Sequence, residues 1–555
     1  MELFLDLYGF VSVLLRLAEL LARTLLLGSV VFWTLLALPL ARVLAPGDAA
    51  GLSGIGRRWT RIAAVAAVLI TGASLGLNLL ALEAATGLSF EALRGADFLR
   101  TGLASLGVML ALAGLALGQP QLGPARRSAL LAGAAVLLVT SSLGSHAIAR
   151  EHGRFGLLLA SALHQAGAGL WLGGLPALYA ALALTPAAAA RVGQRYSGSA
   201  ALGVLLILLG ILGFAIGYIG DVPAVYGTAY GAMTATKGLL LLLLLGLGGA
   251  NWWLLHRAGR QAGQGATGLP KLRRFLECEM ALGIAVLALA ASLTSVPPAI
   301  DLPEDRVTWA ELTERFTPAW PRLASPAHGD LAIPALQARL DAEAQALAKV
   351  ARPQAFTPGE GVPPPRNAQD IAWSEYNHHW AGICVLLVGL AALLDATGRI
   401  AFARHWPLLF MALSAFILVR SDPEIWPLGP IALGDALRDP EVVQHKLAGL
   451  LVAGFALAEW AVRLGRLGGW PRFVLPVSML AGGVLLLAHT HAISNTKEAL
   501  LTEWSHLPLA VLSVIAGCAR WVELRGPLVL ARRARWLWPL CLCLIGGLLL
   551  IYREA

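Results

Sequence analysis

The sequence predicts an all-α polytopic membrane protein of about fourteen transmembrane helices, grouped as an eight-helix and a six-helix bundle. Three observations predict it. Hydrophobic residues fill 57% of 555 positions and charged ones only 14%, against roughly a quarter charged in soluble domains. Apolar runs long enough to cross a hydrocarbon core of about 30 Å, which takes about 17–25 residues, recur along the whole chain. Basic residues then gather in alternate connections between those runs. The 60 glycines and 30 prolines do not argue for disorder, because both are commoner in membrane helices, where small residues let backbones approach closely.

In chain order, the spans fall near 12–41, 62–82, 99–117, 128–146, 156–184, 199–218, 232–255 and 276–296. The opening MELFLDLYGF carries acids rather than the basic region of a cleaved signal peptide, so the first run is expected to stay as an anchor. A polar, Pro-rich stretch over 297–377 follows, with one amphipathic helix expected at LAIPALQARLDAEAQALAKV. Six more spans fall near 379–396, 405–419, 443–462, 472–491, 504–521 and 535–552. The predicted organisation is a membrane domain over 1–296, an outer segment over 297–377 and a His-rich membrane domain over 378–555.

Lys and Arg accumulate in cytoplasmic connections. One set of loops holds Arg57, Arg58 and Arg61, then Arg126 and Arg127, Arg191 and Arg195, Arg273 and Arg274, and Arg532, Arg533 and Arg535. The other set is acidic or neutral, as with Asp422, Glu424, Asp435 and Asp439. The alternation predicts that both termini and the 297–377 segment lie outside. It also accounts for a net charge of +9 without nucleic acid. The expected surroundings are the lipid bilayer.

Nine of the twelve histidines fall on or just inside that outer side: His146, His152, His164, His378, His379, His445, His489, His491 and His506. Imidazole is the commonest metal ligand and suits copper, zinc and haem iron. Interfacial histidines also cap helix ends and bond to carbonyls, which explains any one of them singly. His164 lies inside a span, where an ionisable group is a functional candidate by default. The candidate metal ligands are His146 and His164 in the first bundle, and His379, His445, His489, His491 and His506 in the second. Helical neighbours point about 100° apart, so His378 and His379 are not expected to share one ligand. Glu375, Glu498 and Glu503 could orient ligating imidazoles, or serve as ordinary solvated loop charges. His328 stands alone in the outer segment and reads as a surface residue.

Other chemistries lack support. The five cysteines contain no CxxC spacing, the six methionines form no MxxM thioether track, and no Walker A loop is present.

The segments SLGSHAIA and ALHQAGAGLWLGGLPAL resemble the paired GHA and H-to-WxGG signature of bacterial CopD copper-resistance membrane proteins. YSGSAALGVLLILLGILGF, TAYGAMTATKGLLLLLL and GANWWLLHR are similar to the same family's core. WSEYNHHWAGICVLLVGL, DPEVVQHKLAGLLVAGFALAEW and HTHAISNTKEALLTEWSHLPLAVLSVIAGCARWVELR resemble its long members, so the resemblance extends over nearly the whole chain. The family's GHA is GSHA here, with Ser145 between glycine and histidine. The resemblance implies an inner-membrane protein that handles copper at the periplasmic face, working with a periplasmic copper carrier of the CopC type. On this reading the chain is a copper-binding transporter for uptake, homeostasis or resistance rather than an enzyme. The alternative is a membrane oxidoreductase binding haem b through His379, His445, His489, His491 and His506, since facing bundle helices suit axial imidazoles. A third reading is a structural or assembly role, with the histidines as interfacial caps.

Overall fold

The structure, a computed structural model, describes residues 2–119, 121–150, 153–260, 268–304, 306–331, 367–488 and 497–554, with isolated positions between 333 and 346. Among the described residues fourteen helices are long and apolar enough to cross a membrane. The first eight are α1 (Tyr8–Ala41), α2 (Pro46–Thr86), α3 (Asp97–Leu117), α4 (Pro124–Leu143), α5 (Arg154–Ala181), α6 (Pro186–Ile219), α7 (Ala229–Arg257) and α8 (Leu269–Leu293). The remaining six are α9 (Ala368–Ala396), α10 (Ala401–Arg420), α11 (Val442–Arg463), α12 (Trp470–Ala488), α13 (Lys497–Arg525) and α14 (Leu528–Leu550). The chain is therefore a multi-pass, all-helical membrane protein. The amphipathic helix expected after Asp330 lies mostly outside the described residues.

Several helices run past the apolar runs that predict them. α2 has 41 residues, about 60 Å at 1.5 Å per residue, so Arg57, Arg58 and Arg61 belong to a helix and not to a loop. Arg191 and Arg195 likewise sit in the first turns of α6. α9 begins ten residues before His378, where Asn367 and Asp370 form a capping box: the Asn367 side chain accepts the Gln369 and Asp370 N–H groups, and Asp370 accepts the Asn367 N–H at 2.9 Å. His378 and His506 are thus about 13–15 Å along their helices rather than at the openings of α9 and α13.

The first eight spans and the last six share a core. Ala288 and Leu289 of α8 are buried in one cluster with Leu487 of α12 and Ala510 and Val514 of α13, and the Ser292 hydroxyl donates to the Leu487 carbonyl at 2.8 Å. Within the first eight, α1 and α5 meet backbone to backbone. A Cβ on Gly28 would lie 2.2 Å from the Gly173 carbonyl carbon, and one on Gly173 would lie 1.9 Å from the Thr24 oxygen. The contact falls on a π-helical turn of α5, Gly169–Gly173, the sort of local widening often found at functional sites.

The two ends of the bundle differ in how arginine is used. At the basic end, Arg61 donates to the carbonyls of Ala116, Leu117 and Gly118, and Arg126 to Leu115, where the last turn of α3 leaves them without helical partners. At the opposite end arginine and lysine meet carboxylates across loops: Arg150 with Asp301 at 2.7 Å, Arg306 with Asp221 at 2.9 Å, Arg322 with Glu375 at 3.1 Å and Lys497 with Glu311 at 3.1 Å. The guanidinium of Arg306 and the Ala224 N–H hold the Asp221 carboxyl below the usual range. Backbone and hydroxyl donors of Thr308, with Lys497, do the same for Glu311.

Candidate functional site

α9, α13 and the tail beyond α14 build a two-layer polar junction. Ser374 and His378 lie one turn apart on α9, as Thr502 and His506 do on α13. In the upper layer Glu554 accepts the hydroxyls of Ser374, Thr502 at 3.4 Å and Tyr552 at 2.7 Å. In the lower layer the rings of His378 and His506 are 6.0 Å apart. Tyr552 stacks on His378 at 3.8 Å and 16° and lies 6.2 Å from His506. Arg315 sits over the other part of that phenol, 4.7 Å from its centroid. Burial and the Glu554 charge push the Tyr552 hydroxyl up, with Arg315 opposing.

Both imidazoles are anchored alike. His378 Nδ1 lies 2.9 Å from the Ser374 carbonyl and His506 Nδ1 lies 2.9 Å from the Thr502 carbonyl. A carbonyl can only accept, so each Nδ1 carries the proton and each Nε2 carries the lone pair a metal would take.

Beside them, at the mouth of α11, His445 Nδ1 lies 2.7 Å from Asp422 Oδ1, and Lys446 donates to Oδ2 at 2.7 Å. Ser421 adds a third donor at 2.5 Å. Burial alone would raise the Asp422 carboxyl, but the bonds and charge from His445, Lys446 and Ser421 outweigh it and hold the group below its usual value. The carboxylate–histidine pair is the arrangement that orients a ligating imidazole.

The remaining sequence candidates fall as follows. His379 is buried, with Nδ1 accepting the Arg322 N–H at 2.7 Å and Nε2 facing the Tyr552 carbonyl at 2.9 Å. Both nitrogens are engaged, so in this arrangement it is His378 and not His379 that offers a lone pair. His164 is on α5 beside Phe214, ring centroids 5.5 Å apart. Its Nδ1 is buried with no hydrogen-bond partner, and Lys237 of α7 is within electrostatic range. The His146 side chain, His489 and His491 lie outside the described residues. Glu375 is paired with Arg322, and Glu503 is buried. Among the described residues no three His, Cys, Asp or Glu side chains gather to hold one ion. The described residues do not fit a haem: both His379 nitrogens are engaged, and Tyr552 stacks flat on His378, covering a face that an axial imidazole would need clear.

A second polar centre was not singled out by the sequence. Glu279 of α8 is 2% exposed. Its carboxylate accepts the Trp171 indole N–H of α5 at 2.5 Å and the Asn251 amide of α7 at 2.6 Å. Tyr196 of α6 donates its hydroxyl to the Trp171 carbonyl. Lys237 and Asn251 are fourteen residues apart and so share one face of α7, a pattern readable in the sequence.

Residues 190–293, which span α6 to α8 and include Asn251 and Glu279, match the family described as Copper resistance protein D, CopD. The chain is also 34% identical over 168 residues to the copper transport protein CutJ of Bacillus subtilis (strain 168). That alignment covers 29% of this chain and 29% of that protein, so the chain spans under a third of the relative it matches. No solved structure matches. From Ala190 to Leu293 the chain is thus similar to the CopD, copper resistance protein D, family.

Proposed function

We propose that this chain is a copper-handling protein of the bacterial inner membrane, taking the ion from the periplasmic side for uptake and homeostasis. The observation that carries the reading is the His378–His506 pair, two imidazoles from α9 and α13 with rings 6.0 Å apart and each Nδ1 held by a backbone carbonyl. Nitrogen ligands of this kind suit copper. The CopD similarity of residues 190–293 and the printed name of the Bacillus subtilis relative point to the same metal. Copper is the cargo in this account, and His445, set by Asp422, is the neighbouring imidazole through which it approaches.

The charge pattern supports the orientation: loops holding Asp221, Asp301, Glu311 and Asp422 face the periplasm, with both chain termini, while the arginine-capped helix ends face the cytoplasm. A CopC-type carrier would dock on the outer loops. In the first eight spans, His164 is the imidazole through which the ion would continue, with His146 proposed as its partner.

The test is copper stoichiometry of detergent-purified protein, with its visible spectrum, for the parent and for His378→Ala, His506→Ala and His379→Ala. Loss of one copper in the first two variants, with retention in His379→Ala, is expected. Copper content unaffected by His378→Ala and His506→Ala would overturn the site, and a reducible Soret band with stoichiometric iron would replace the reading with a haem protein.

A further inference from the structure

α8 carries three consecutive polar residues that point to three different partners. Glu279 turns to Trp171 and Asn251. Glu277 accepts the Trp521 indole N–H at 2.6 Å and meets Arg274 at 2.7 Å and Arg525 at 3.2 Å. Between them Cys278 turns to α13, where its Sγ lies 3.8 Å from the Cys518 carbonyl oxygen and the two side chains pack in one buried cluster. Both cysteines are free, and they come from opposite halves of the chain, 240 residues apart.

Their surroundings are apolar and drawn from three helices: Leu247 of α7, Val522 of α13, and Leu530 and Ala534 of α14. One turn further along α8 is a cavity of about 340 Å³ lined by Leu269, Pro270, Arg273, Arg274 and Arg525. The cavity therefore opens at the basic end of the bundle, on the same two helices that carry the thiols.

We infer that Cys278 and Cys518 form a two-coordinate site for a soft monovalent ion, Cu(I) or Ag(I), at the junction of the two halves and reached from the arginine-lined cavity. Paired thiolates select such ions where harder cations prefer oxygen and nitrogen. In binding, two S–H bonds break and two metal–sulfur bonds form, with no change of oxidation state. Both protons leave to solvent, and the bis-thiolate carries one negative charge. Arg274, one turn away and within electrostatic range of Cys278, offsets that charge. Three guanidiniums against the single carboxylate of Glu277 disfavour a bare cation at the mouth, so the ion exchanges there as an anionic chelate. The choice of ion rests on the copper reading above, but the site is separate from the histidines and fails separately.

The experiment titrates reduced full-length protein with the anionic Cu(I) complex of bathocuproine disulfonate and records copper X-ray absorption. Proteins compared are the parent, Cys278→Ser, Cys518→Ser, the double variant, and Cys384→Ser as a cysteine control. The parent and Cys384→Ser are expected to bind one Cu(I) more than each single variant and the double variant, with sulfur scattering lost alongside it. His378→Ala in the same titration leaves the sulfur signal intact. Equal stoichiometry in the parent and in a double variant that stays monodisperse overturns the site, as does a parent whose bound copper shows only nitrogen and oxygen neighbours. A variant that loses monodispersity is replaced by Cys278→Ala/Cys518→Ala, and if that pair binds as the parent does, the inference is likewise overturned.

Discussion

The Glu279 centre of the first half and the histidine junction of the second place ionisable side chains in the membrane in different ways. In the first half Glu279 is sealed: its donors Trp171 of α5 and Asn251 of α7 come from neighbouring helices and are themselves buried. In the second half His378 and His506 lie with rings 6.0 Å apart, about 13–15 Å along their helices, and His445 is paired with Asp422 at 2.7 Å at the mouth of α11. The cost of a buried polar group explains the difference. A carboxylate deep in the core is tolerable only when its hydrogen bonds are fixed by packing, whereas imidazoles near the surface can be neutral and available.

Breaking that contrast should have its largest effect where backbone meets backbone. Gly28→Leu puts side-chain atoms inside the α5 π-turn, and both neighbours are main chain. The expected loss is about 4 kcal/mol or more, read as failure to recover monodisperse protein. Glu279→Ala leaves two buried donors without an acceptor and should cost on the order of 3 kcal/mol, measured as a lower Tm in detergent. Glu279→Gln keeps one acceptor and should recover much of that. Equal Tm for the parent and Glu279→Ala would mean the carboxylate is not part of the packing.

In the second half, His379→Ala removes a side chain bonded to two backbone groups and should cost about 1–3 kcal/mol without changing copper content, the reverse of His378→Ala. A matching copper loss in both variants would erase the distinction between the adjacent histidines. Asp422→Asn sharpens the comparison through pH. Because its folded value is depressed, the carboxylate's stabilisation is complete above its unfolded value of about 3.9 and disappears as pH falls through the lower folded value. The Tm gap between the parent and Asp422→Asn should thus persist from neutral pH down to mild acid and close only below it. Smallest is Lys497→Met, which removes a half-exposed pair with Glu311 and should shift stability by less than about 1 kcal/mol.

Hydropathy and loop charge made the number of spans legible, because burial in lipid forces both the length and the composition of a crossing helix. What they could not give was where helices extend beyond lipid. α2 and α9 continue through polar residues such as Arg57 and Gln369, whose helical preference is invisible to an apolar window. At the site, the imidazoles brought within 6.0 Å of each other are those of His378 and His506. The choice between His378 and His379 turned on helix phase, which adjacent residues alone cannot fix. The repeated pattern of a hydroxyl residue one turn before a histidine, in Ser374–His378 and Thr502–His506, was the available signal. Tyr552 and Glu554 carried none, since their role comes from where the tail folds back.

That fold-back gives the junction a tempo. With the Tyr552 ring lying flat on His378 and tied through Glu554 to both flanking helices, nothing can reach that face of His378 until the tail swings aside. Arrival at the site would then saturate with concentration, paced by the opening of a latch rather than by collision, and loosening the latch with Tyr552→Ala would speed both loading and release.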